Sequence, residues 1–348
     1  MKFLYINTGN KYPPDKHLVD GLRENGQEVF ELIENEQGLS KYINFTHRFW
    51  KNKYSFDVII VGYGLPFLVP IVRFMSLQKI IFNAVSSQYE ANIISRSTDG
   101  PWSLIALKWW LVDFISFHFS SKILLESNAQ INFVRKYFLV SKNKLILSWM
   151  GVDEEVFFRD SNIEKNQKFT ALFRGRFLPE SGILTVIEAA KKLEDKDVQF
   201  LIIGHGFMYR EVNALMEKLA PKNIEMINEK LPIEKLREKM LQCHISLGQL
   251  ADHPRLSRTL PCKLFESLAL GLPYLTGRNA GVLELLKENE TCFAVLPGNA
   301  DDLAQKILFL KNNPDTLEKI ALQGRELYKE KLTSRQLAKE FVMDCFNK

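Results

Sequence analysis

Val198-Gln199-Phe200-Leu201-Ile202-Ile203-Gly204-His205-Gly206 is an apolar run that stops at two closely spaced glycines. Continuous large apolar residues, rather than alternating ones, mark a strand covered on both faces, as in a parallel sheet under helices. The glycines after it allow a sharp turn and the close approach of a ligand to the backbone. The pattern repeats along the chain, as in Val58-Ile59-Ile60-Val61. Strands are expected at 2–7, 28–33, 57–61, 79–85, 122–125 and 145–148. A second series is expected at 169–174, 198–203, 224–227, 244–247, 274–276 and 292–295. Helix-length segments separate them, which is the order of a doubly wound α/β architecture.

At 348 residues the chain is long for one core and comfortable for two. The polar stretch 159–168 divides the two strand series and is the expected linker. The reading is two Rossmann-like domains, 1–150 and 151–332, with a last helix in 333–348. Its apolar residues Leu337, Phe341, Val342 and Cys345 fall close to helical spacing.

Composition is ordinary for a soluble globular protein, with 46% hydrophobic and 25% charged residues. Four scattered cysteines without a C-x-x-C fit reduced thiols in a cytosol. Residues 1–6 read as a first buried strand, too short for a signal core. The most apolar window, 102–119, is interrupted by Lys108, Asp113 and His118, so no spanning helix is expected. Trp102, Trp109 and Trp110 are assigned to the core. The first 150 residues carry 17 basic side chains against 12 acidic, so the whole +5 excess lies there. That suits an anionic partner. Nothing in the chain proposes nucleic acid. Residues 37–56 combine Lys41, His47, Arg48, Lys51 and Lys53 with Tyr42, Phe45, Phe49, Trp50 and Tyr54 and no acid. A basic, aromatic helix there suits an anionic bilayer surface; a helix with core aromatics and solvated lysines fits equally.

Residues 258–273, Arg-Thr-Leu-Pro-Cys-Lys-Leu-Phe-Glu-Ser-Leu-Ala-Leu-Gly-Leu-Pro, carry the chemistry. A helix opens after Pro261 and closes at Gly271. Lys263 and Glu266, three apart, share one of its faces. The first turn offers N–H groups, a partial positive charge and an ammonium, which suit phosphate; the carboxylate suits sugar hydroxyls. Together they point to a nucleotide diphosphate. Arg176 follows a strand and Gly175, where a guanidinium can clamp a diphosphate. Asp195-Lys196-Asp197 sits in a charged turn before a strand and is not read as a metal site. No other cluster proposes a metal or cofactor.

The run Lys263, Glu266, Ala269, Gly271 and Pro273 resembles the signature of GT-B-fold retaining glycosyltransferases. Gly175-Arg176, Gly204-His205-Gly206, and Gly151-Val152-Asp153 with Phe157 resemble further landmarks in family order. The resemblance covers most of 145–310. It implies two Rossmann-like domains facing across a cleft and a terminal helix crossing back to the first. It implies a nucleotide-diphosphate sugar donor, no metal, and donor contacts at Gly175, Arg176, Gly204, His205, Gly206, Asn228, Leu231, Arg258, Lys263, Leu264 and Glu266. Arg176, Lys263 and Glu266 take the catalytic roles. Gly9, Asn83, Ser86 and Ser87 are the candidates for the acceptor side, where a plain loop after the strand fits equally.

The chain departs from the pattern in four places. Glu180-Ser181-Gly182 stands where a lysine precedes a helix-starting glycine. Arg258 holds the first glutamate position of E-x7-E, eight residues before Glu266. No histidine follows the fourth strand, and the glycines after the first strand are reduced to Gly9. The expectation is a cytoplasmic, peripherally membrane-associated glycosyltransferase acting on a lipid-linked or polysaccharide acceptor, in bacterial-type surface glycan synthesis. A catalytically impaired nucleotide-sugar-binding subunit and a sugar-nucleotide epimerase are the alternatives.

Overall fold

The computed structural model describes residues 1–9, 13–34, 40–52, 56–96 and 100–346, and only the backbone of 13, 40–42 and 52. It divides into two compact units, Met1–Asp153 with Lys331–Lys348, and Glu154–Glu330.

The first unit contains strands β1 (Lys2–Asn7), β2 (Glu28–Ile33), β3 (Val58–Val61), β4 (Lys79–Val85), β5 (Lys122–Leu125) and β6 (Leu145–Leu147). Its helices are α1 (Pro13–Glu24), α2 (Ser40–Asn52), α3 (Leu68–Met75), α4 (Leu104–Phe119) and α5 (Asn128–Tyr137). All strand pairs are parallel, in the order β2-β1-β3-β4-β5-β6. Alternate strand residues feed two cores. Ile59, Val61, Ile80 and Phe82 pack with α2–α5, and Phe3, Tyr5, Ile60 and Ile81 pack on the other face. Serine hydroxyls start two of the helices. Ser103 accepts from Ala106 N at α4, and Ser127 from Gln130 N at α5.

The second unit contains β7 (Phe169–Arg174), β8 (Val198–Ile203), β9 (Ile224–Ile227), β10 (Ile245–Leu247), β11 (Tyr274–Gly277) and β12 (Phe293–Val295). Its helices are α6 (Ile183–Lys192), α7 (Tyr209–Leu219), α8 (Ile233–Gln242), α9 (Cys262–Leu270), α10 (Ala300–Lys311) and α11 (Pro314–Leu327). The sheet is again parallel, in the order β12-β11-β10-β7-β8-β9. Strand order reverses between β7 and β10, and in such sheets ligands bind beyond the strand C-termini at the reversal. The last helix, α12 (Ser334–Phe346), returns to the first unit. There it packs against α1 so closely that a Cβ on Gly21 would lie 1.9 Å from the Ser334 carbonyl oxygen.

Each sequence-read strand forms within a residue at either end, the normal scatter of strand termini. Three other readings change. The stretch 159–168 is not a free linker but part of the second unit: Lys165 donates to the Leu241 and Cys243 carbonyls, and Asn166 N to Gln242. Trp102 is not core but 98% exposed; Trp109 and Trp110 are half-buried against the core. Of the bilayer-type stretch 37–56, residues 37–39 and 53–55 lie outside the described residues, as do the Lys41 and Tyr42 side chains. Phe45 and Phe49 are fully buried and stacked at 5.7 Å, whereas Trp50 is 59% exposed. Arg48 is spent on Glu34 and the Ile33 carbonyl.

The turns after β7 and β8 are zipped together. Gly175 N donates to Ile203 O at 3.0 Å, and Phe177 N to His205 O at 3.0 Å. A Cβ on Gly204 would stand 1.9 Å from the Gly175 carbonyl oxygen, and one on Gly206 2.9 Å from Phe177 N. These glycines are therefore required by backbone against backbone, before any ligand is considered. Gly204→Ala should destabilise the second unit by about 1–3 kcal/mol through overpacking, read as a lowered urea midpoint at unchanged m-value.

Candidate active site

Helix α9 delivers its two polar residues to the reversal point. Pro261 precedes it and supplies no capping side chain, and Gly271 ends it in the left-handed region (φ 68°). Between them every residue from Lys263 to Leu270 is buried, which is unusual for a lysine and a glutamate. Lys263 Nζ donates to the carbonyl of Gly248, just past β10, at 2.8 Å, and lies 4.2 Å from the Phe173 ring centroid. Burial first, then the nearby Arg174 guanidinium, pull its amine down to about 7.

Glu266 is 2% exposed and pairs with Arg174, the last residue of β7. The sequence reading does not contain this pair; it places the donor cation at Arg176, two residues later. A signal was present: with Leu264, Phe265 and Leu268 as neighbours, a buried carboxylate at Glu266 needs a cation from another element. The end of the adjoining strand is where one would be found.

Arg176 is exposed and makes no ion pair among the described residues, so its guanidinium is available to a ligand. Glu180, beside Ser181 in the run where the family's lysine is expected, is fully buried and paired with Arg255. The Glu180 carboxylate is thus neutralised within the unit by Arg255. Arg258 is half-buried and donates to Ser257 Oγ at 3.4 Å. Leu264 is fully buried, so it packs the helix. His205, Asn228 and Tyr209 are exposed at the ends of β8 and β9, with Asn228 Nδ2 3.4 Å from the Tyr209 hydroxyl; Leu231 is half-buried nearby in sequence.

On the expected acceptor side the structure uses the polar atoms internally. Asn83, Ser86 and Ser87 are all buried. Asn83 Nδ2 donates to the Pro14 carbonyl, the Tyr5 hydroxyl and Asp15, and Ser87 Oγ accepts from Glu90 N. Gly9 instead lies on a cavity of about 230 Å³ with Asn7, Asp15, Lys16, Arg23 and Glu31. Its floor is Asp15, which accepts from the Tyr5 hydroxyl at 2.7 Å and from Tyr63 N at 2.9 Å. Burial outweighs these bonds and raises its carboxyl to about 6. The lining is rich in paired charges, as Lys16–Asp20 and Arg23–Glu31, the kind of surface that hydrogen-bonds a polyol.

Among the described residues no three His, Cys, Asp or Glu side chains converge as metal ligands. Asp197 of the charged turn faces Lys311 at 3.5 Å and Lys168 at 4.0 Å.

Residues 154–327 match the family model of the glycosyl transferases group 1. The chain belongs to that family. The match spans the buried Lys263–Glu266 face and the zipped turns. Among curated relatives, an uncharacterized glycosyltransferase of Methanocaldococcus jannaschii is 25% identical over 189 residues, 54% of this chain and 50% of that protein. The amylovoran biosynthesis glycosyltransferase AmsK of Erwinia amylovora is 23% identical over 203 residues, 56% of this chain and 50% of that protein. The match to these curated relatives thus spans about half their length. Among solved structures, Anabaena HepE, crystallised with UDP and glucose, superposes with a TM-score of 0.73 at 13% identity, covering 98% of both chains. The two parallel six-stranded units are the two Rossmann-like domains of the GT-B fold.

Proposed function

We propose that this group 1 glycosyltransferase moves a sugar from a nucleotide-diphosphate donor, bound at the strand-order reversal of the second unit, to a lipid-linked or polysaccharide acceptor. The observation that carries the reading is the buried face of α9. An ammonium and a carboxylate one turn apart are held at the sheet's reversal point by Gly248 and Arg174. Rupture of the bond between the anomeric carbon and the diphosphate leaves an oxocarbenium-like centre and an anion. Lys263, the N-terminus of α9 and Arg176 are the groups suited to stabilise that anion as it forms. Glu266 is suited to accept the ribose hydroxyls on the lone pairs that Arg174 does not use. The donor class gains support from HepE, whose crystals hold UDP and glucose, and the glycan acceptor from AmsK, named for amylovoran biosynthesis. Retention of configuration rests on family resemblance, and a lipid-linked acceptor places the work at the inner face of a membrane. No helix among the described residues is long and apolar enough to cross one.

A second reading, a nucleotide-sugar-binding subunit without transfer activity, is favoured by the lack of the family's lysine in Glu180-Ser181-Gly182 and by Arg258 where the resembled family has a glutamate. Thermal shift with a panel of nucleoside diphosphates tests the donor site. At least one should raise the melting temperature, and stabilisation by about 2.7 kcal/mol is expected at a hundredfold excess over Kd. If none does, the site assignment fails. Donor hydrolysis by the purified chain, lost in Arg176→Ala, separates enzyme from binding subunit.

A further inference from the structure

Helices α2–α5 cover one face of the first unit's sheet, and the outward surface of α3 and α4 is unlike an ordinary solvated one. Helix α4 carries large apolar residues on its outward as well as its inward side. Ala106 and Phe117 turn inward, while Leu104, Leu107, Lys108, Leu111 and Ile115 recur at three- and four-residue spacing and are exposed. Trp102 ahead of it is 98% exposed and Leu104 85%. Beside it on and after α3, Phe74 is 79% and Leu77 97% exposed. Phe74 meets Phe119 at 5.4 Å and Phe67 meets Trp109 at 6.4 Å, so the two apolar surfaces join.

The charge on this surface has one sign. Helices α2 to α5 contain a single acidic residue, Asp113, which is 1% exposed and accepts from the N–H groups of Gln88 and Tyr89. Lys108 stands in the middle of the stripe, 5.2 Å from the Trp109 ring. At the end of α4, Arg73 Nε donates to the Phe119 carbonyl and Lys144 Nζ to that of His118.

A helix with large apolar residues on both its inward and outward sides suits a core or a lipid surface. At 16 residues α4 is about 24 Å long, short of the roughly 30 Å hydrocarbon slab. Lying in the headgroup plane satisfies it: leucines and phenylalanines enter the acyl boundary, Trp102 takes the interface, and Lys108 reaches outward to lipid phosphate. A second copy is a poor occupant, because an isologous contact centred on the stripe brings Lys108 toward its own equivalent, and among the described residues of α2–α5 no carboxylate is exposed to meet it.

We propose that the α3–α4 surface of the first unit is the docking face for an anionic lipid bilayer. This deepens the reading of a lipid-linked acceptor. The test uses the full chain and vesicles of phosphatidylcholine with or without phosphatidylglycerol, lacking donor and acceptor. A silent result here therefore leaves the donor site standing, and a silent nucleotide panel leaves this face standing. The chain should sediment with the anionic vesicles at low salt, and less with neutral ones or at high salt. Leu104→Gln/Leu107→Gln/Leu111→Gln should weaken binding about tenfold or more, and Lys108→Glu should weaken it selectively for anionic vesicles. Unchanged melting of these variants shows that the fold survives. Absence of vesicle binding, binding indifferent to the leucine substitutions, or a dimer in ultracentrifugation that the triple variant dissociates would each overturn the proposal.

Discussion

Replacing Glu266 with alanine should cost the fold about 3–5 kcal/mol, besides removing the response to nucleoside diphosphates. The residue is 2% exposed and its partner Arg174 keeps only a quarter of its side chain in solvent, so the loss leaves a guanidinium without a counter-charge. Arg174→Met should cost a similar amount for the mirror reason. The double variant, Arg174→Met with Glu266→Met, should cost far less than the two together, since both charges leave and apolar volume replaces them. Urea denaturation of the unsubstituted chain, Glu266→Met, Arg174→Met and the double variant closes the cycle. Independent, additive effects would show that the two side chains do not depend on each other. A fully stable Glu266→Ala would mean the carboxylate serves a ligand alone.

The affinity for a nucleotide-diphosphate sugar should fall steeply above neutral pH. In the free protein burial and Arg174 hold the Lys263 amine at about 7, while a bound diphosphate favours its charged form. Below that value the ammonium is already present and affinity is flat; above it each pH unit demands a proton from solvent and costs up to roughly tenfold in Kd. Calorimetry in buffers of different ionisation enthalpy should register proton uptake at pH 8, and Lys263→Met should abolish both the uptake and the slope. The nucleotide sugar is the right probe because its diphosphate has no terminal ionisation near pH 6, as a free phosphate does. The stability of the unliganded protein should run the other way. Its depressed amine binds fewer protons than the unfolded chain between about 7 and 10.5, so this residue's contribution makes stability rise with pH across that window. Flat affinity from pH 6 to 9 would remove Lys263 from the phosphate site.

The strands and the α9 site were legible because both rest on local chemistry. Uninterrupted runs such as Val58–Val61 have few other homes, and Pro261 with Gly271 bracket one helix in sequence. Arg174 was not legible, since its role depends on which strand end meets α9, a contact between residues far apart in the chain. The acceptor-side serines misled for a related reason. Ser86 and Ser87 follow a strand, as ligand loops do, yet Ser87 accepts from Glu90 N within its own turn and is fully buried. Trp102 reads as interior in sequence because large apolar residues usually are; only the fold reveals that α4 has more apolar surface than the sheet beneath it can cover.

The position of α12 bears on how this polypeptide comes into being. Its Ala338, Phe341 and Cys345 complete the cluster of Phe3, Tyr5 and Leu22, although more than three hundred residues separate them in translation. A nascent chain emerging amino-terminus first therefore carries an uncovered β-sheet flank until residues 334–346 leave the ribosome. The second unit, wholly encoded between, has every partner it needs sooner. Maturation would then run against the direction of synthesis, the later-made half setting first.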